Sequence, residues 1–335
     1  MPYLYYQHCS SNFVVAPEYK MEHFTKESDE QVGTYYYYSF ARIKNRIQAK
    51  QKKLEGFIKR IYVPEEEVLK FGNAEEDYYT YDPLSDTPEL YLEMNKIEVL
   101  NDASLMKFIK NYGIPFDIQM NDKEDELIGP ISLFPKNDTV KFNTEMDVLT
   151  FYEELLELQT SFKMWHCIKE NNREYMQQVK DEFADFAQVF FTERTEDLSP
   201  EELAFLKANE RSSELIMTWE QVKNTDLQNI AFAYLNIKLK QRNSGKTSTR
   251  LADGKIIPAI SFNNLLEVAS YQLKQAIFKD EKLEKCLNCG ALFEARHAAQ
   301  KFCSPLPGRK RSTCENTYNQ RLKRLRKKQG LTEDK

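Results

Sequence analysis

Four of the six cysteines in this 335-residue chain lie between positions 286 and 314, in the order C-x2-C-x13-C-x10-C. Cys286 and Cys289 offer two sulfur atoms from one tight turn, and Cys303 and Cys314 complete a set of four. Four thiolates make a closed tetrahedral ligand set for zinc. Such a site dictates local structure, because a segment with little core of its own gains folding free energy from the ion. Gly290 directly follows the second cysteine, at a place where the knuckle needs a backbone conformation that glycine adopts cheaply. Unpaired buried cysteines or redox thiols are the competing reading. His297 is an alternative ligand, but the four cysteines are complete without it. Cys9 and Cys167 each follow a histidine, His8 and His166, and read as ordinary side chains.

The compartment bears on this choice. The opening residues, MPYLYYQHCSSNFVV, lack a basic stretch followed by an apolar run, so no secretory signal is expected. No segment approaches ~18 uninterrupted apolar residues, so no membrane span is expected. A cytoplasmic location follows, where thiols stay reduced and clustered cysteines bind metal in preference to forming disulfides.

Local signals extend the picture. ALFEARHAAQKFC has the length of a short hairpin that returns the chain to Cys303. Ser312 and Glu315 form an S-x-x-E capping box, which starts a helix and puts Cys314 in its first turn. A helix N-terminus stabilises a thiolate. Knuckle, hairpin and helix carrying the last ligand describe a treble-clef-like module. In CENTYNQRLKRLRKK, Cys314, Tyr318, Leu322 and Leu325 share one face, turned toward that module. Arg321, Lys323, Arg324, Lys327 and Lys328 spread over the rest, and Arg309, Lys310 and Arg311 precede the helix.

The charge distribution matches this segment. Residues 296–328 carry eleven Lys and Arg against the single acid Glu315, while residues 1–295 carry −14. An acidic body therefore wears a basic tail, which suits a polyanion at one end of the molecule. Cations on a metal-anchored helix suit phosphate contacts, and Arg can read guanine in a major groove. Asn316, Asn319 and Gln320 add base-edge hydrogen-bonding capacity. A solvated terminal helix and a localisation signal are the plainer readings of the same charges.

The remainder of the chain reads as α+β, mainly helical. Only 10 glycines occur in 335 residues, which disfavours glycine-rich nucleotide loops. Twelve of 19 tyrosines fall before position 85, including Tyr35–Tyr38, a pattern of core or strand packing with base stacking as the sharper alternative. Residues 40–63 combine helix formers with a basic face. From 144 the signals sharpen. Thr144 and Asp147 fit a capping box, and Val148, Phe151, Leu155, Leu158, Phe162 and Trp165 recur at helical spacing. Ser199, Pro200 and Glu202 mark another helix start. A helix is expected over 227–241, and another over 262–278 capped by Ser261. The expected domains are a mixed region of unknown role over 1–140, a helical domain over 141–280 and the metal module over 281–330.

Residues 284–328 resemble the CGNR-type zinc finger, a C-terminal module of bacterial transcription regulators. The shared features are the C-x2-C pair, Phe293 soon after it, the basic stretch leading to FCS at 302–304, Cys314 with Asn316, and the basic helix that follows. Family members place a helical domain before the finger. Departures are Glu315 and Thr317, where the family has glycine and arginine, and a longer gap between the last two cysteines; Arg321 lies one turn beyond Thr317. The resemblance implies zinc bound by Cys286, Cys289, Cys303 and Cys314, and DNA binding.

Rival classes are weaker on residues. A treble clef also carries HNH-type nuclease sites, but only His297 lies nearby, and four cysteines close the coordination sphere. SGKTS at 244–248 lacks the earlier glycine of a phosphate loop, since position 240 is lysine. The expectation is a zinc-dependent, nucleic-acid-binding protein, a DNA-binding transcription regulator, with no membrane partner. Its alternatives are an adaptor with a purely structural finger, or an enzyme with a site in 1–280. Contact between the acidic body and the basic tail is a further expectation of the charge asymmetry.

Overall fold

The computed structural model describes residues 9, 11–23, 59–72, 78–116, 139–191, 210–240, 242, 244–252, 254–295, 297–306 and 309–328. In chain order the elements are β1 (Ser11–Val15), β2 (Lys20–His23), β3 (Lys59–Tyr62), α1 (Glu65–Gly72), β4 (Tyr79–Tyr81), α2 (Leu90–Asn95), α3 (Asp102–Tyr112), β5 (Thr139–Lys141) and β6 (Glu145–Asp147). There follow α4 (Val148–Lys169), α5 (Arg173–Phe191), α6 (Glu210–Val222), α7 (Leu227–Lys240), β7 (Lys246–Ala252), β8 (Lys255–Ser261), α8 (Leu265–Phe278), β9 (Leu283–Lys285), β10 (Leu292–Glu294) and α9 (Thr313–Lys328). About half of these described residues are helical and the sheets are small, so the chain is mixed α and β and mainly helical. Among the described residues no helix is long and apolar enough to cross a membrane.

The chain divides into two units, residues 1–156 with 244–335, and residues 157–243. In the first, β1 pairs antiparallel with β4 and parallel with β5, while β3 lies between β2 and β6. Ile61 of β3 faces Met21 and Met146 across that second sheet. Ile61 and Met146 are fully buried. β7 and β8 form a hairpin, and Cys9 bridges to Ile260 on it. Gly113 ends α3 at φ +88°, where a side chain would strike the carbonyl oxygen of Val14. Only glycine fits both demands.

Helix starts follow side-chain oxygens, with two corrections to the sequence reading. Asp147, rather than Thr144, caps α4: the Thr150 amide donates to Asp147 Oδ1 at 2.7 Å. Thr144 precedes strand β6 instead. Asn264, rather than Ser261, caps α8 by accepting from the Glu267 amide at 2.9 Å. Ser261 is still held in the β7–β8 ladder, opposite Lys246, so helix cannot begin there. All six apolar residues expected along α4 are buried. The end of the segment 40–63 is strand, since Lys59–Tyr62 pairs on both edges. Residues 40–58, Tyr35–Tyr38 and the Ser199 start lie outside the described residues.

One contact positions the elements around the cysteines. Gln272 of α8 is buried, and its amide makes three bonds. It accepts from the Leu90 amide at 2.8 Å and donates to the carbonyls of Thr87 at 2.8 Å and Pro83 at 3.1 Å. Glu89 makes no side-chain cap bond to α2, so Gln272 does what a cap does, from another helix.

In the second unit, Phe183 of α5 is fully buried and lies 5.1 Å from the Trp219 ring of α6 and 4.8 Å from Tyr234 of α7. One aromatic side chain thus joins three helices. Phe183→Ala is expected to cost about 3–5 kcal/mol. Urea unfolding followed by circular dichroism checks the value.

Candidate metal centre

The four cysteines converge. One sulfur from each of Cys286, Cys289, Cys303 and Cys314 lies within 4.8 Å of all the others, a group that could hold a metal ion. Cys289 Sγ and Cys303 Sγ stand 3.6 Å apart. Cys9 and Cys167 are buried elsewhere and take no part.

The local fold explains the convergence. β9 and β10 pair antiparallel, with Lys285 opposite Leu292 and Leu283 opposite Glu294, and Cys286–Gly290 is the turn between them. The hairpin is therefore built across the knuckle. Residues 291–303 do not fold back on themselves as a hairpin, because their strand β10 pairs backwards with β9. The Gly290 amide donates to the Cys286 carbonyl at 2.9 Å, and the Cys286 amide to the Ala291 carbonyl at 2.9 Å. Gly290 sits at φ +74° with open space around its α-carbon, so backbone conformation and not room requires the glycine. The Leu287 amide donates to the Lys301 carbonyl at 3.0 Å, which brings Cys303 to the knuckle. Ser312 caps α9, its Oγ accepting from the Glu315 amide at 3.4 Å, and Cys314 falls in the first turn. Beneath the sulfurs, Cys286, Phe293 and Cys303 form a small buried cluster against Ala291, Ala295, Phe302 and Cys314.

The electrostatics are unequal. Burial disfavours the Cys286 thiolate, but backbone N–H groups of Cys289, Asn288 and Cys303 aim at it and bring its pKa down to about 6. Burial pushes Cys303 well up, Lys96 opposes this, and the neighbouring cysteines reinforce it. Burial and neighbouring thiolates lift Cys314 to about 11, against a hydrogen bond from the Asn288 side chain. The helix terminus therefore does not by itself secure the Cys314 thiolate. Four thiolates this close repel one another, and their joint ionisation calls for a cation among them.

Several contributors had no motif. Asn288, inside the C-x2-C pair, bonds Cys314 and accepts from Arg321 Nη1 at 3.2 Å through Oδ1. Its place between the paired cysteines is the available signal. Three contacts come from the start and end of α2, about 200 residues away in sequence. Lys96 Nζ lies 3.7 Å from Cys303 Sγ, Tyr91 donates to Glu294 Oε1 at 2.6 Å, and Ser304 Oγ donates to Glu89. A cleft of about 270 Å³ remains between this region and the cysteines, with Lys96, Lys107, Tyr112, Cys289, Cys303 and Cys314 among its lining.

The basic residues are placed as follows. Arg309, Lys310 and Arg311 are exposed before α9, and Asn316, Arg321, Lys323, Arg324, Lys327 and Lys328 are exposed along it. No residue of α9 is fully buried. Of its apolar stripe, Cys314 packs into the cluster and Tyr318 lies 5.3 Å from Phe302, ring to ring. Leu325 is 52% exposed, so the stripe meets the module only over the first turns. His297 is exposed and stands outside the sulfur group.

Comparison with family models, curated proteins and solved structures finds no match for this chain.

Two predictions follow from the site. Gly290→Ala is expected to cost about 1–2 kcal/mol through its left-handed backbone, read as about a 5–30-fold loss of metal affinity in a chelator competition. Gly290→Asn recovers part of that loss, because asparagine tolerates the conformation. The second concerns Glu294, which burial pushes up to about 7, with Glu89 and Glu281 adding to the rise and Tyr91 opposing it. The folded state holds this proton more tightly than the unfolded chain. Stability is thus lost as pH rises from about 4.5 to about 7. Glu294→Gln keeps an acceptor for Tyr91 and removes the charge. It is expected to flatten the fall in melting temperature across that window, measured by scanning calorimetry.

Proposed function

We propose that Cys286, Cys289, Cys303 and Cys314 hold one structural zinc ion in a treble-clef-like module, and that the module orients α9 to bind nucleic acid. The observation that carries the zinc reading is the sulfur group itself. A tetrahedral ion with Zn–S bonds of about 2.3 Å sets its sulfurs about 3.8 Å apart, and Cys289 and Cys303 stand at 3.6 Å. An all-thiolate set favours a soft metal over magnesium or calcium. The N–H groups aimed at Cys286 and the amide on Cys314 are the outer partners a thiolate centre needs. With four protein ligands the ion has no open position, so its role is structural.

The nucleic-acid reading is supported by the exposed cations of α9 and of the segment before it. An α-helix fits the major groove of duplex DNA, with phosphates on both sides. Lys323, Arg324, Lys327 and Lys328 are the phosphate contacts of this reading, with Arg309, Lys310 and Arg311. Asn316 and Arg321 are its candidates for base edges. The resemblance to regulator zinc fingers favours DNA and a role in transcription. A second reading has the module as a structural cap on its own body, favoured by the contacts from Glu89, Tyr91 and Lys96.

The test is fluorescence anisotropy of full-length, zinc-loaded protein with labelled duplex DNA and single-stranded RNA at two salt concentrations. Metal content is measured in parallel. Affinity for the duplex is expected to fall steeply with salt. Replacing Lys323, Arg324, Lys327 and Lys328 by Gln is expected to weaken binding at least tenfold with zinc retained, and Cys286→Ser with Cys289→Ser to lose both. A zinc-loaded protein that binds neither probe overturns the nucleic-acid reading and leaves the cap.

A further inference from the structure

We infer that Lys96, at the end of α2, is a positioning residue of the metal centre: a cation supplied from outside the cysteine module that holds negative charge on Cys303. This rests on the reading of the four cysteines as a zinc site.

Geometry carries the argument. Lys96 Nζ lies 3.7 Å from Cys303 Sγ, within the reach of an N–H···S bond, and the two are 207 residues apart. Cys303 is buried, with 6% of its surface exposed, so water has little access to its sulfur. Four thiolates around a divalent ion leave excess negative charge on the sulfurs. A hydrogen bond from an ammonium relieves that charge more than a neutral donor does. Cys286 has backbone N–H donors and Cys314 has the Asn288 amide. Lys96 gives Cys303 a donor that is also charged.

The rival is an ordinary surface pair, since Lys96 also bonds Glu93 three residues back at 2.5 Å. Such i,i+3 pairs contribute little. An ammonium has three donors, so the bond to Glu93 leaves others for the sulfur. The position of α2 is also independently held against the module, by Tyr91 on Glu294 at 2.6 Å and by Ser304 on Glu89. The ammonium is therefore carried to the sulfur by a docked helix. One consequence is that metal affinity depends on α2 staying docked, so an event that moves α2 is felt at the ion.

The experiment uses full-length protein. Zinc affinity is measured by competition with a chromophoric chelator, and the cobalt-substituted protein gives the thiolate-to-metal charge-transfer band. Lys96→Met is expected to lower zinc affinity about 10–100-fold and to move the band to lower energy, because a thiolate without its donor gives up charge more readily. Lys96→Arg keeps the charge and restores most of both. Lys107→Met removes the same charge from the same cleft, has no bond to sulfur among the described residues, and leaves both readouts at the parent values. If Lys96→Met does not fold, Lys96→Gln serves: it is polar like the parent residue but uncharged, and is expected to move the band to lower energy. A Lys96→Met or Lys96→Gln protein that matches the parent in both readouts overturns the inference while zinc binding stands. A parent protein that takes up neither zinc nor cobalt overturns the zinc reading itself.

Discussion

Repulsion among four sulfur atoms gathered within 4.8 Å is the constraint on which the C-terminal module depends. The apolar cluster beneath them contains three buried side chains, two of them cysteines. Burial on that scale does not order some forty residues by itself, because each fixed backbone residue costs about 1–2 kcal/mol. Every surrounding feature works to bring the sulfurs together and make their charge tolerable. The knuckle turns through Gly290, N–H groups point at Cys286, Asn288 reaches Cys314, and the α9 cap places Cys314 in the first turn.

The module is not free of the body. Gln272 of α8 holds the start of α2 through three hydrogen bonds, and α2 in turn presents Glu89, Tyr91 and Lys96 to the module. The path from the body to the sulfurs is thus short and polar. Gln272, Glu89 and Tyr91 are buried, where a hydrogen bond left unmade is costly, while Lys96 is exposed. Glu294 pays the electrostatic cost of this docking, since Glu89 and Glu281 also raise its proton affinity. Tyr91 offsets part of that by donating to it.

Charge separates the two ends of α9. Its first turns are tied to the cluster through Cys314 and Tyr318, while the last turns carry Lys323, Arg324, Lys327 and Lys328 in solvent. Arg321 lies at the junction and bonds Asn288. That bond places a cation of the helix one residue's reach from the cysteine sulfurs. The cysteine module and the exposed cations of α9 therefore share a side chain.

Much of the site was legible from residues that act locally. The spacing of four cysteines, the glycine after the second and the S-x-x-E before the last each act within a few residues, so sequence by itself determined the sulfur group, the knuckle and the start of α9. The apolar repeat of α4 was equally local, because helical period alone puts those six residues on buried positions. Thr144 and Ser261 do not start helices because strands run beside or through them, and a strand's partner is far away in sequence. Tertiary structure alone decided that Leu325 stays in solvent, that β9 pairs across the knuckle, and that Lys96 reaches Cys303. A lone lysine on a short helix has no pattern. It acquires a role only when Gln272 and Tyr91 hold that helix in place and the low-dielectric surroundings of a buried thiolate make one ammonium count.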